Sequence, residues 1–269
     1  MTELALDRAV AALEQGTNGD PFGLLGPHPA TVDGEPALVV RAYYPEAAAV
    51  ELLSGGYPAL PMRRVRTSSL FEVEVPGWAN DPMSFDYRLR IRWADGNTSE
   101  LIDPYRFGRI LSEYDLYLLA EGTQIRAHEK LGAHPMSLGA ITGVHFAVWA
   151  PNADRVSVIG DFNFWDGRRH PMRLLAPQGV WEIFIPGLGN GEKYKFEIRS
   201  KVGGAVFLKT DPFARRLEVP PLSASVVWEP GPYSWSDREW MERRRHENAW
   251  FDRPMSVYEV HLGSWARGA

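Results

Sequence analysis

The sequence predicts an all-β protein built from two tandem antiparallel β-sandwiches, and three repeated phrases carry that prediction. Leu25-Gly26-Pro27-His28-Pro29 returns as Leu131-Gly132-Ala133-His134-Pro135. Phe71-Glu72-Val73-Glu74-Val75-Pro76-Gly77 returns as Trp181-Glu182-Ile183-Phe184-Ile185-Pro186-Gly187, and Asp103-Pro104-Tyr105 returns as Asp211-Pro212-Phe213. The spacings of 106, 110 and 108 residues hold register over a domain length, so a duplicated domain outranks any reading of single residues.

The elements follow in order. Residues 1–15 read as a short helix with Leu4, Ala5, Val10, Ala11 and Leu13 available for one face and Gly16 as its stop. The first sandwich spans 16–108. Its strands are the apolar or alternating runs Ala37–Tyr44, Ala49–Leu53, Phe71–Val75 and Ser84–Trp93. Asp95-Gly96 closes a hairpin between Trp93 and Ser99. A connector over 109–130 carries Ser112 with Asp115 three residues on, the pattern of a capping box, for a helix stopped by Gly122. Its Tyr114, Leu116 and Leu119 are expected to dock between domains.

The second sandwich spans 131–229 with strands at Val144–Trp149, Arg155–Gly160, Trp181–Ile185, Lys193–Ser200 and Val206–Lys209. Short strands at this spacing without interleaved helices indicate antiparallel sandwiches rather than a parallel sheet. Residues 230–269 break the pattern. A Pro-Gly-Pro linker precedes a charged helix with Arg243, Arg244 and Arg245 on a solvated face, capped by Ser236 with Glu239. Ser256–Gly263 reads as one isolated strand, the first element of a further domain.

Composition narrows the function classes. A net charge of −5 argues against a nucleic-acid partner, which needs a concentrated basic face. The 269 residues contain no cysteine, which removes disulfides and thiolate metal sites and suits a cytoplasmic location. Residues 1–12 carry Glu3 and Asp7 and no continuous apolar run, so no signal peptide is read there. No apolar stretch reaches the length of a membrane span. The sequence therefore predicts no membrane partner, no cofactor and no metal. His28 and His134 are repeat equivalents in Gly-x-His-Pro turns, which favours structural roles. Asp103 and Asp211 precede proline at equivalent places and read as turn formers whose carboxylates bond the following backbone. Gly187–Gly191 is a hairpin loop rather than a phosphate loop, because strand residues follow it.

Three segments add a resemblance. Phe146-Ala147-Val148-Trp149-Ala150-Pro151-Asn152-Ala153, Val158-Ile159-Gly160-Asp161-Phe162-Asn163 with Trp165, and Tyr194-Lys195-Phe196 resemble the immunoglobulin-like carbohydrate-binding module of α-glucan-active enzymes and glycogen-sensing kinase subunits. The first sandwich resembles the extra amino-terminal module of one class of bacterial glycogen branching enzymes. Val257–Trp265 resembles the opening strand of their catalytic barrel, so the chain reads as ending in the truncated start of a (β/α)8 barrel.

The resemblance implies 1,4-α-glucan branching with retaining chemistry, which uses two carboxyl groups about 5–5.5 Å apart. In that family these lie in the barrel, and none of its catalytic motifs occurs here. The chain is therefore expected to carry no catalytic residue and to act as the accessory, glucan-positioning part, with α-glucan and the missing barrel as partners. Two alternatives stand beside this: a free-standing glucan-binding or scaffold protein, and part of another α-amylase-family enzyme.

The resemblance also implies a glucan-binding face. Trp165 stacks on a sugar ring while Asn163 and Lys195 bond hydroxyls. Some relatives carry a second tryptophan just before the Asp-Pro turn. Here that region reads Phe207-Leu208-Lys209-Thr210-Asp211, and Phe207 is the candidate replacement. Phe146, Trp149, Trp181 and Phe184 are expected in the core. Asp161 and Asp166 are read as turn and loop carboxylates. The loop Ser54-Gly55-Gly56-Tyr57 stands in the first sandwich where the second has its tryptophan loop.

Overall fold

Both repeats fold through the same strand pairing. The computed structural model describes residues 3–55, 57–78, 80–246 and 254–265, with the backbone alone for Tyr57 and Leu262. The first sandwich comprises β1 (Gly26–Val32), β2 (Glu35–Tyr43), β3 (Ala47–Ser54), β4 (Tyr57–Arg64), β5 (Leu70–Pro76), β6 (Arg88–Trp93) and β7 (Thr98–Leu101). The second comprises β8 (Gly132–Leu138), β9 (Ile141–Trp149), β10 (Ala153–Gly160), β11 (Arg173–Leu175), β12 (Val180–Pro186), β13 (Lys193–Ser200) and β14 (Val206–Lys209), with short strands β15 (Arg216–Leu217) and β16 (Ser225–Val226).

The ladders β1·β2, β2·β5, β4·β5, β3·β6 and β6·β7 recur as β8·β9, β9·β12, β11·β12, β10·β13 and β13·β14, all antiparallel. The duplication seen in the sequence is thus a duplication of topology. It differs at one corner. β3 pairs with β4 and joins the first sandwich into one sheet, whereas β10 meets its counterpart segment only at the bridge Ser157–Pro171. The longer loop between β10 and β11 occupies that gap, and it carries Trp165.

The repeated Gly-x-His-Pro segments are strand starts rather than turns. His28 sits in β1 and His134 in β8, each at the edge of its sheet, where proline removes no needed ladder bond. Each imidazole Nε2 bonds a carbonyl three residues back, Leu25 at 3.1 Å and Leu131 at 3.0 Å, so both are structural. The strand expected from Ser84 begins only at Arg88. Asp81 caps a short helical turn at Pro82–Ser84, accepting from the Met83 amide at 3.0 Å.

Helix α1 (Glu3–Glu14) buries Leu13 and partly buries Leu6, Ala9 and Val10, an i, i+3, i+4, i+7 stripe. Leu4, expected on that face, is exposed. Leu13 belongs to a core continuous with Tyr43, Val65 and Leu70 of the first sandwich and Phe146, Val158, Ile183 and Phe196 of the second. The helix therefore bridges the two repeats, and Glu14 accepts from Tyr43 at 3.1 Å and the Ser69 amide at 2.6 Å.

Helix α2 (Glu113–Glu121) has the expected capping box, with Ser112 and Asp115 bonding reciprocally at 3.1 Å, and Gly122 ends it at φ +70°. Leu116 and Leu119 pack with Leu111, Leu131, Ala147, Leu175 and Val180 on the outer side of β9 and β12. Tyr114 points to solvent. Glu182, on that same face, accepts from the amides of Ile110 and Leu111 at 3.1 and 3.0 Å and contacts His145 at 3.1 Å. Burial opposes its ionisation, but these partners hold its pKa below the usual carboxylate value.

Phe146, Trp181 and Phe184 are buried as expected. Trp149 is not: it is 62% exposed. Period-two alternation puts it on the outer face with Ala147, and its indole donates to the Gln178 carbonyl at 3.0 Å.

Residues 230–269 form a second unit. Its helix α3 (Arg238–His246) is exposed along its length, including Arg243, Arg244 and Arg245. The strand expected at Ser256–Gly263 does not form. Residues 254–261 have no ladder partner among the described residues, and Leu262–Trp265 make a single helical turn. A strand exists only through its neighbours, so an apolar alternating run alone cannot make one.

Candidate carbohydrate-binding face

The loop after β10 is a strained turn held by one buried amide. Gly160 ends the strand, and Asp161–Asn163 form a short helical turn. Phe164 and Trp165 then both take left-handed backbone at φ +59°. Two consecutive bulky residues in that region cost about 1–3 kcal/mol each, and such strain persists only where the surroundings impose it. Asn163 imposes it here. Its side chain, 1% exposed, accepts from the Gly160 amide at 2.9 Å and donates to the Val158 carbonyl at 2.8 Å and to His170 Nδ1 at 2.9 Å. Both amide hydrogens and the carbonyl oxygen are thus engaged within the protein. Asn163 is therefore not a sugar ligand, contrary to expectation; it is the clamp that sets the turn.

Trp165, 37% exposed, is fixed at both ends: its amide bonds the Gly160 carbonyl at 2.9 Å, and its indole Nε1 donates to Asp161 at 2.8 Å. Asp166 is engaged by Arg168 through bonds of 2.8–3.2 Å. Although burial pushes the other way, Arg168 holds the Asp166 pKa below the ordinary carboxylate value. Both aspartates are turn carboxylates, as expected, and neither is placed as a proton donor.

The rest of the loop lies on the outer face of the β10–β13 pair. Buried Arg155 donates to the Gly167 carbonyl at 2.9 Å and pairs with Glu197, and a Cβ on Gly167 would sit 2.0 Å from Glu197 Oε1. Glycine at 167 is what lets the chain approach so closely.

Directly opposed residues of antiparallel strands share a face, which sorts the remaining candidates. Lys195 opposes Ile159, Glu197 opposes both Ser157 and Leu208, and Ile198 opposes Phe207. Lys195, Glu197 and Leu208 thus project on the outer face, with Glu197 against the tryptophan loop at Gly167. Phe207 projects on the other face with Ile198 and Phe196, its ring 5.4 Å from Lys209 Nζ. Phe207 is consequently not the partner of Trp165 and Lys195. Leu208, 56% exposed, holds the position that the sequence reading missed. Counting alternation from Lys195 across the hairpin would have found it.

Lys195 Nζ donates to Ser223 Oγ at 2.9 Å, and Lys193 pairs with Glu218 at 2.9 Å. The face therefore offers an anchored indole, an aliphatic surface and an orientable ammonium, which suits an uncharged hydroxylated ring. Among the described residues no His, Asp and Glu cluster could hold a metal ion, and none of the helices is long and apolar enough to cross a membrane.

Residues 7–105 match the family described as alpha-1,4-glucan branching enzyme GlgB, N-terminal domain, and residues 130–214 match Carbohydrate-binding module 48 (Isoamylase N-terminal domain). A 1,4-alpha-glucan branching enzyme GlgB of Paramagnetospirillum magneticum is 50% identical over 95% of this chain and 33% of its own length. Those of Rubrobacter xylanophilus and Rhodospirillum rubrum are 48% and 44% identical over 97% and 100% of this chain, and 34% and 36% of theirs. The chain spans about a third of the length of the relatives it matches. Among solved structures, a type I pullulanase of Bacillus subtilis is similar over 79% of this chain and 28% of its own, at 17% identity and a TM-score of 0.33.

Proposed function

We propose, for a chain whose residues 7–105 match a GlgB-type N-terminal domain and whose residues 130–214 match a carbohydrate-binding module 48, that it serves 1,4-α-glucan branching by holding glucan for catalytic groups that lie elsewhere. The observation that supports this reading is that Lys195 and Leu208 share the outer face of β13 and β14, while the loop that carries the anchored Trp165 leaves β10, the strand paired with β13.

The chemistry is binding. The indole stacks on the C–H face of a glucosyl ring, Leu208 extends that apolar contact, and Lys195 donates to hydroxyls. Transfer itself would need the paired carboxyl groups of a retaining glycosidase. On this reading 1–15 is a bridging helix, 16–108 and 131–229 are the two sandwiches, 109–130 connects them, and 230–269 leads toward a catalytic barrel in the cytoplasmic enzyme.

Native electrophoresis in gels containing glycogen tests the face. The parent chain should be retarded, and Trp165→Ala and Lys195→Ala should each weaken retention by about tenfold in apparent affinity. Phe207→Ala should migrate as the parent. A parent chain that runs equally with and without glycogen would refute glucan binding. Iodine-stained amylose should be unchanged by the chain alone, and measurable branching would place catalysis within these residues.

A further inference from the structure

A groove of about 270 Å³ lies between the two sandwiches, away from Lys195 and Leu208. The first sandwich contributes Tyr44 and Trp93, and the second contributes Phe164, Arg169, His170 and Leu188. Trp165 does not line it.

Arg169 is its centre. The guanidinium stands 5.7 Å from the Trp93 ring centroid and 5.0 Å from that of Phe164, so it joins an aromatic of each repeat. Its side chain is only 10% exposed, yet Nε makes no hydrogen bond. The carboxylates around it are loosely placed, Glu46 at 3.6 Å and Asp166 at 3.9 Å, beyond hydrogen-bond range. A buried guanidinium donor left open costs about 1–3 kcal/mol or more, and with no carboxylate in hydrogen-bond range the Arg169 head is the cationic group of the groove.

The remaining groups define the ligand. Glu46 and Asp166 already balance the arginine charge, and His170 is neutral, its pKa lowered to about 4 by burial and by Arg169. An anion therefore gains little here. Because His170 Nδ1 accepts from Asn163, its Nε2 carries the proton and is a second donor. Phe164 remains 76% exposed beside these donors, held there by its left-handed backbone. Aromatic surface beside a charge-balanced guanidinium suits an uncharged polyhydroxylated ring.

We propose that the groove between the two sandwiches is a second α-glucan contact, in which one or two glucosyl units lie against Phe164 and Trp93 beside the Arg169 guanidinium. It rests on the reading that this chain meets α-glucan, but not on the Trp165 face. Two contacts on one compact unit would let a single glucan chain be held at two points.

Titration of the ¹⁵N-labelled chain with maltoheptaose, followed by amide chemical shifts, separates the two sites. Amides of Arg169, His170 and Leu188 should move, and should still move in Trp165→Ala. Phe164→Ala and Arg169→Lys should weaken the groove response about tenfold while leaving shifts at Lys195 and Leu208 in place. Phe164 is exposed, so its variant should melt with the parent. Shifts at Lys195 and Leu208 without any at Arg169 and His170 would overturn the groove and leave the face standing. The converse pattern would overturn the face alone. Groove shifts abolished by Trp165→Ala, or unaltered in both groove variants, would overturn the second contact.

Discussion

The hydroxyl of Tyr194 donates to the buried carboxylate of Asp211 at 2.5 Å, and Tyr87 makes the same bond to Asp103 at 2.6 Å. Each carboxylate's other oxygen accepts the backbone amide two residues on, from Phe213 at 2.8 Å and Tyr105 at 3.0 Å. A tyrosine in or just before a strand thus fastens the Asp-Pro turn that follows it to the core of each repeat. The turn bond was legible in Asp-Pro; the tyrosine partner was not.

Removing that partner should be felt equally in both repeats. Tyr194→Phe and Tyr87→Phe each leave a buried carboxylate oxygen without its donor, which should lower unfolding stability by about 1–3 kcal/mol. Urea denaturation followed by tryptophan fluorescence measures it. A loss of only a few tenths of a kcal/mol in either variant would mean the bond contributes nothing net.

Asp103 should make the first sandwich less stable as pH rises. Burial raises its pKa from 3.8 to about 6, against the lowering effect of the bonds from Tyr87 and Tyr105. Between about pH 4 and 6 the unfolded chain has lost this proton and the folded one keeps it, so stability falls with pH across that window. The shift corresponds to about 2–3 kcal/mol. Asp103→Asn should flatten the dependence of Tm on pH between 4 and 6, and an unchanged slope would assign it to other groups.

Asn163 should behave as a positioning residue. Asn163→Ala removes the bonds to Gly160, Val158 and His170, so the strained pair Phe164 and Trp165 loses its support. Hydrogen exchange at the 160–166 amides should accelerate, and retention in glycogen gels should fall to the level of Trp165→Ala. Lys195→Ala should weaken retention without accelerating exchange. Unaltered exchange in Asn163→Ala would refute the clamp.

The sequence by itself determined the duplication, the antiparallel class, the capped connector helix, the turn role of both aspartates and the tryptophan loop. These follow from information written locally: periodicity, caps, proline turns and repeated phrases. Only the tertiary structure decided which face each side chain serves. Asn163 reads as a polar ligand until its partners on neighbouring strands consume it. Phe207 and Leu208 exchange meaning with one residue of register, because strand pairing alone fixes the face. Trp149 reads as core until the extent of the covering connector is known. The strand expected at Ser256 fails for the complementary reason: a helix closes its hydrogen bonds within itself, but a strand depends on a neighbour, and none among the described residues supplies one.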